Sequence, residues 1–212
     1  MTPSSAAKLA LLPAAVFGME YGAMGMASLA WRAWSARLNA WDAGSFPFYV
    51  ALAMELLLVT VLCQRMAATP WGLPRRADAP ALLCLALALS LNALGGAVLS
   101  GRIAHVHLHV PSSELGFVGG AVLAPLTEEW LFRGVIFGAA VRILGGRWPA
   151  VAATVILSAA LFALWHLPFG GNPNLLYNLG FGAMLAIARW RMSSITPGIC
   201  IHFLGNAFYL VS

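Results

Sequence analysis

The sequence predicts an all-α protein, a polytopic membrane helix bundle of about seven transmembrane helices. Two observations carry that prediction. Only 9% of the 212 residues are charged and 61% are hydrophobic, whereas a soluble domain carries about 25% charged residues. So few charges do not cover a water-facing surface, and lipid is the solvent that fits. The apolar residues also gather into runs near the ~20 residues that span a bilayer. Short segments rich in Pro, Gly and Arg separate them, such as Gly145-Gly146-Arg147-Trp148-Pro149.

The runs are Leu9–Trp31, Phe46–Cys63, Ala79–Leu99, Leu115–Leu144, Ala150–His166, Leu175–Ile187 and Ile195–Val211. The fourth is too long for one straight crossing, so it is expected to open with an interfacial turn and to kink at Pro125. The sixth is short and glycine-rich. Lys8 and the small residues at 23–27 have the look of a signal peptide, but the first run continues to Trp31, so an uncleaved first helix is expected. The net charge of +5 comes from basic residues scattered singly or in pairs. They form no stripe that would track phosphates, which excludes a nucleic-acid partner. Cys63, Cys84 and Cys200 lie in or beside apolar runs without a CxxC and read as small buried hydrophobes.

Ionisable residues inside spans are expensive and mark function by default. The densest group is Thr127-Glu128-Glu129-Trp130-Leu131-Phe132-Arg133. Glu129 and Arg133 are i and i+4 with the acid N-terminal, the favourable order for an ion pair. Glu128, about 100° round the helix, has no local cation and is the acid free to handle protons. A second element, Phe162-x-x-x-His166, places an aromatic ring and an imidazole on one face. Taken alone, a histidine at a helix end reads as structural more often than catalytic. A third, His202-x-x-x-Asn206, sets two polar side chains on one face of the last run. That pair reads equally as interhelical glue or as a functional pair. Together the three supply a free acid, an imidazole and a donor pair, the parts of a hydrolytic site.

Glu128-Glu129-x-x-x-Arg133, Phe162-x-x-x-His166 and His202-x-x-x-Asn206, in this order, resemble the motif series of the CAAX-protease/bacteriocin-processing (CPBP, Abi) family, which includes the Ras-converting prenyl-protein endopeptidases. The resemblance covers roughly Leu115 to Val211. It implies one membrane domain over residues 1–212, with family-variable helices in 1–110 and a catalytic core in 115–211. It further implies a glutamate-dependent intramembrane endopeptidase with no cofactor and no metal. Glu128 would activate water with His166, His202 and Asn206 would hold the oxyanion, and Glu129, Arg133 and Phe162 would support them. The implied partners are the bilayer and a protein or peptide substrate with a membrane-associated tail. The competing readings are a non-catalytic immunity or scaffold protein of the same fold and a zinc-dependent membrane protease built on Glu128, His166 and His202.

Other polar groups point less far. His105, His107 and His109 alternate in a loop and read as solvated. Glu20 and Glu55 lie in the first two runs, where lining a cavity and satisfying a neighbouring helix are equally open. Gly180 and Gly182 read as packing positions beside Asn178. The Ala/Leu/Arg-rich, lysine-poor composition suggests a GC-rich bacterium, hence the bacterial inner membrane.

Alternate loops give the orientation. Those after the second, fourth and sixth runs carry Arg65, Arg75, Arg76, Arg142, Arg147, Arg189 and Arg191; the other side carries Lys8, Arg32, Arg37 and Arg102. The excess belongs inside, which puts both termini outside and the motifs in the outer half of the bilayer. Single cysteines at Asn172 and Arg147, in a background without native cysteines, test this. An impermeant thiol reagent on intact cells should label position 172 and spare 147; labelling of 147 alone reverses the orientation.

Overall fold

The computed structural model describes residues 74, 75, 77–103, 118–167 and 172–211, and these contain helices and no strand. Helix α1 spans Ala79–Ile103. A continuous helical segment then runs from Val118 to Leu144 in four parts: a π-helical turn Val118–Leu123, α2 Ala124–Glu128, a second π-helical stretch Glu129–Ile136, and α3 Phe137–Leu144. Three helices follow: α4 Trp148–Trp165, α5 Asn172–Met192 and α6 Thr196–Val211. The first two predicted spans, the His105–His109 loop and residues Glu20, Glu55 and Glu114 lie outside the described residues.

Local chemistry sets the ends. Asp78 Oδ1 accepts the Ala81 N–H at 3.0 Å, capping α1. Gly145 ends α3 at φ 89°, a conformation that favours glycine, and Pro149 lies in the first turn of α4. At Pro125, where a kink is expected, the helix changes from π to α at Ala124, with Leu123 keeping right-handed angles. Helix α5 is longer than the predicted Leu175–Ile187. It runs on through Arg189 and Arg191 because both guanidinium groups find acceptors, at the Arg133 carbonyl and at Asp78 respectively.

In the bundle, α5 packs most extensively on α4 and next on α1. Helix α1 also packs on α6, which meets the first π turn, and the second π stretch and α3 close against α4. Leu85 and Ala88 of α1, Phe132 and Ile136, Leu161 and Phe162 of α4, and Phe181 and Leu185 of α5 form the shared core. Small residues set the spacing. A Cβ on Gly182 would stand 3.2 Å from Ala159 Cα and 3.3 Å from Phe162 Cδ1, so α4 and α5 approach closely there, as expected from the sequence. At the α1–α6 crossing, the Asn92 amide lies over Gly205 and its Oδ1 accepts the Tyr177 hydroxyl at 3.0 Å.

The outer faces are apolar. Leu83 of α1, Ile156 of α4, Leu176 of α5 and Leu204 of α6 are 58%, 66%, 77% and 48% exposed. Helix α4 is long and apolar enough to cross a membrane, with 44% of it buried in the protein. The 118–144 segment carries Glu128, Glu129, Arg133 and Arg142, and α6 has only 16 residues.

One end of the bundle gathers the arginines. Arg191 chelates Asp78, with Nε 2.8 Å from both oxygens, and the Arg75 N–H reaches the Met192 carbonyl at 3.1 Å. The Trp148 and Trp190 rings meet at 5.2 Å. The starts of α1 and α4 and the end of α5 therefore share one end. The close approach at Gly205 has a measurable consequence. A Gly205→Ala Cβ would overlap the Asn92 amide and dislodge its bond to Tyr177, costing ~1–3 kcal/mol as overpacking does. Gly180→Ala, whose Cβ meets only Leu91 at 3.5 Å, should be tolerated. Melting temperatures of both variants in detergent check the contrast.

Candidate active site

The three motif elements converge. Glu129 and Arg133, both in the second π stretch, are fully buried and pair at 2.9 Å between Oε1 and Nη1. Arg133 also donates from Nη2 to the Gly182 carbonyl at 3.2 Å, and its guanidinium lies 4.3 Å from the Phe162 ring centroid. A buried cation without such partners would be severely destabilising. The i, i+4 pairing expected from the sequence is present.

Glu129 does more than neutralise Arg133. The same Oε1 lies 3.1 Å from His202 Nδ1 on α6. Because an ionised carboxylate only accepts, His202 carries its Nδ1 proton toward Glu129, which fixes the ring. The other ring nitrogen, Nε2, then faces Glu128 Oε2 at 3.7 Å. His166 arrives from the end of α4 with the same polarity. Its Nδ1 is 2.9 Å from the Phe162 carbonyl, so that nitrogen is the donor, and its Nε2 stands 3.6 Å from the same Glu128 oxygen. Glu128 thus has an imidazole nitrogen on either side. Both separations exceed a direct hydrogen bond but lie within reach of one water contacting both partners.

Aromatic rings wall the histidines. Phe162 packs on His166 at 4.5 Å, and Phe181 meets His202 edge-to-face at 5.0 Å. The His166 and Glu128 side chains are 24% and 16% exposed against 6% for His202, so His166 is the more accessible of the two imidazoles. Asn206 donates from Nδ2 to the Gly120 carbonyl at 3.0 Å, tying α6 to the first π turn. The amide is held in place by that bond and keeps a second N–H.

Several contributors were not evident from the sequence. Phe181 had no motif to mark it. Gly198 matters because a Cβ there would come within 2.9 Å of Glu129 Oε2, a contact across elements that local sequence does not mark. Ser158, a single hydroxyl in the apolar α4, bonds the Phe132 carbonyl at 3.0 Å.

The two glutamates should separate in stability. Glu129→Gln leaves Arg133 buried against a neutral amide and weakens the His202 acceptor from a carboxylate to a neutral carbonyl; breaking a buried pair costs about 3–5 kcal/mol. Glu128→Gln removes no ion pair of that kind and should hold the melting temperature. Thermal melts of the two purified variants decide; equal losses would mean that Glu128 is structural too.

Residues 111–208 match the family model described as "Type II CAAX prenyl endopeptidase Rce1-like". The chain is also similar to the membrane-embedded CAAX protease MroQ of Staphylococcus aureus (strain USA300), with 34% identity over 92 residues. That match covers 43% of this chain and 36% of the relative, so the chain spans about a third of the protein it resembles. No solved structure matches the chain significantly. The matched stretch contains Glu128, Glu129, Arg133, Phe162, His166, His202 and Asn206, and over residues 111–208 the chain is similar to the Rce1-like CAAX-protease family.

Proposed function

We propose that the chain is a glutamic-type, metal-independent intramembrane endopeptidase, a single membrane domain of about seven helices with its catalytic core in residues 115–211. The observation that carries the reading is the placement of Glu128 Oε2 at 3.6 Å from His166 Nε2 and 3.7 Å from His202 Nε2, with each Nδ1 already committed to its own acceptor. Both imidazoles therefore turn their variable nitrogen toward one acid.

In the proposed reaction a water lies against Glu128 and His166. Its oxygen attacks the scissile carbonyl carbon while its proton passes to Glu128, with His166 Nε2 accepting the second hydrogen bond. The carbonyl π pair moves onto oxygen. His202, in its protonated form, donates Nε2–H to that oxyanion, and the second amide hydrogen of Asn206 completes the hole. Collapse breaks the C–N bond, and Glu128 returns the proton to the leaving amine. The products are a carboxylate and a free amino terminus. Glu129 holds His202 in orientation, as the buried carboxylate does in a hydrolase triad.

The relative's name and the matched family support a protein substrate in the membrane. Candidate substrates are prenylated CAAX tails, leader peptides and C-terminal sorting tails. The arginine distribution supports a site in the outer half of a bacterial inner membrane, a reading that favours the sorting tails of exported proteins.

Glu128→Ala and His166→Ala should each lower turnover of a membrane-anchored peptide by at least ~10²–10⁴-fold, the size of an acid–base contribution, without loss of folding. Full activity in purified Glu128→Ala removes the glutamate mechanism. Turnover should also survive strong chelators; loss of stoichiometric zinc together with activity would move the assignment to a metalloprotease.

A further inference from the structure

The second π stretch has a feature that the proposed reaction does not use. In a regular α-helix the Phe137 N–H would bond the Arg133 carbonyl, four residues back. Here it reaches Phe132 O and Gly134 O and passes over Arg133 O. A side chain from another helix takes its place: Arg189 Nε of α5 donates to Arg133 O at 3.2 Å. The neighbouring Phe132 carbonyl receives Ser158 Oγ of α4 at 3.0 Å. Ser158 is fully buried. Two consecutive carbonyls of the widened stretch are thus held by donors from two different helices.

This stretch begins at Glu129, directly after Glu128. On a regular helix neighbouring residues point about 100° apart. In this structure Glu128 and Glu129 contact opposite nitrogens of one imidazole, His202 Nε2 and Nδ1. Arg133, whose carbonyl Arg189 holds, is also the cation on Glu129. Relaxation to α-helical hydrogen bonding would return the Arg133 carbonyl to Phe137 N–H and rotate Arg133 relative to Glu129.

We propose that Arg189 and Ser158 are positioning residues that hold the Glu129–Ile136 stretch in its π register and thereby keep Glu129 on His202 Nδ1. They touch neither the proposed water nor the substrate. The idea builds on the endopeptidase reading, but its structural half does not require activity.

The test uses the full chain in detergent with ¹⁵N-labelled histidine, His202 being assigned by its loss in His202→Gln. In the wild type, His202 should show a protonated Nδ1 hydrogen-bonded to a carboxylate. Ser158→Ala and Arg189→Met should each shift the His202 ¹⁵N signals, and turnover should fall ~10-fold or more with KM within about twofold, as expected for loss of one buried hydrogen bond to a structured carbonyl. Ser158→Thr and Arg189→Lys, which keep a donor, should restore both. Wild-type ¹⁵N signals in the Ser158→Ala/Arg189→Met double variant overturn the proposal, as does a Ser158→Thr variant no better than Ser158→Ala. Should Arg189→Met fail to fold, Ser158→Ala and its rescue by Ser158→Thr decide alone. A wild type that cleaves nothing, with His202 signals that still move in the variants, would refute the endopeptidase reading and leave the positioning intact.

Discussion

The Glu129 carboxylate, shared between Arg133 and His202 in a dry interior, is the interaction on which the rest of the site depends. A lone guanidinium or carboxylate at that depth costs several kcal/mol. With Glu129 Oε1 at 2.9 Å from Arg133 and 3.1 Å from His202, the charge is neutralised locally and the second π stretch is held to α6 at one point. The Gly182 carbonyl and the Phe162 ring then take up the remaining faces of Arg133. Phe162 carries His166 one turn further along α4 and offers its carbonyl to that histidine. The ion pair, the aromatic wall and the second imidazole thus form a single assembly, and displacement of Glu129 would disturb all of them.

How much of this was legible in the sequence follows from the kind of signal each residue leaves. Charged side chains in apolar runs stand out because lipid penalises them, so Glu128, Glu129 and Arg133 were readable by position, whereas His166 and His202 gained weight only from the three elements taken together. The i, i+4 rule paired Glu129 with Arg133 correctly. The same rule did not anticipate that Glu129 also reaches across to His202, since that contact joins residues 73 apart and depends on how α6 packs. Asn206 was paired with His202 by spacing; its bond to Gly120 again crosses between elements. The π register was invisible for a different reason: it is fixed by donors on α4 and α5, and no local propensity marks it.

The fold shows the same division. Helix existence followed from hydropathy, and the predicted starts and ends of α4 and α6 lie within a few residues of the observed ones. The end of α5 was placed too early because Arg189 and Arg191 looked like the water-facing end of a span. Each is instead consumed by a partner from another part of the chain, Arg133 O for one and Asp78 for the other. Polar residues near the end of a membrane helix therefore mark its boundary only when nothing nearby accepts them.

Helix α1 precedes the stretch that matches the family, yet it is fastened to that stretch at three levels. Asp78 grips Arg191 at one end, Leu91 lies against Gly180, and Asn92 sits between Tyr177 and Gly205. Each fastening pairs a residue outside the matched stretch with a residue inside it. The two halves are thus constrained to change together: a family core transplanted behind foreign leading helices would arrive with Arg191, Tyr177 and Gly205 shaped for neighbours it no longer has.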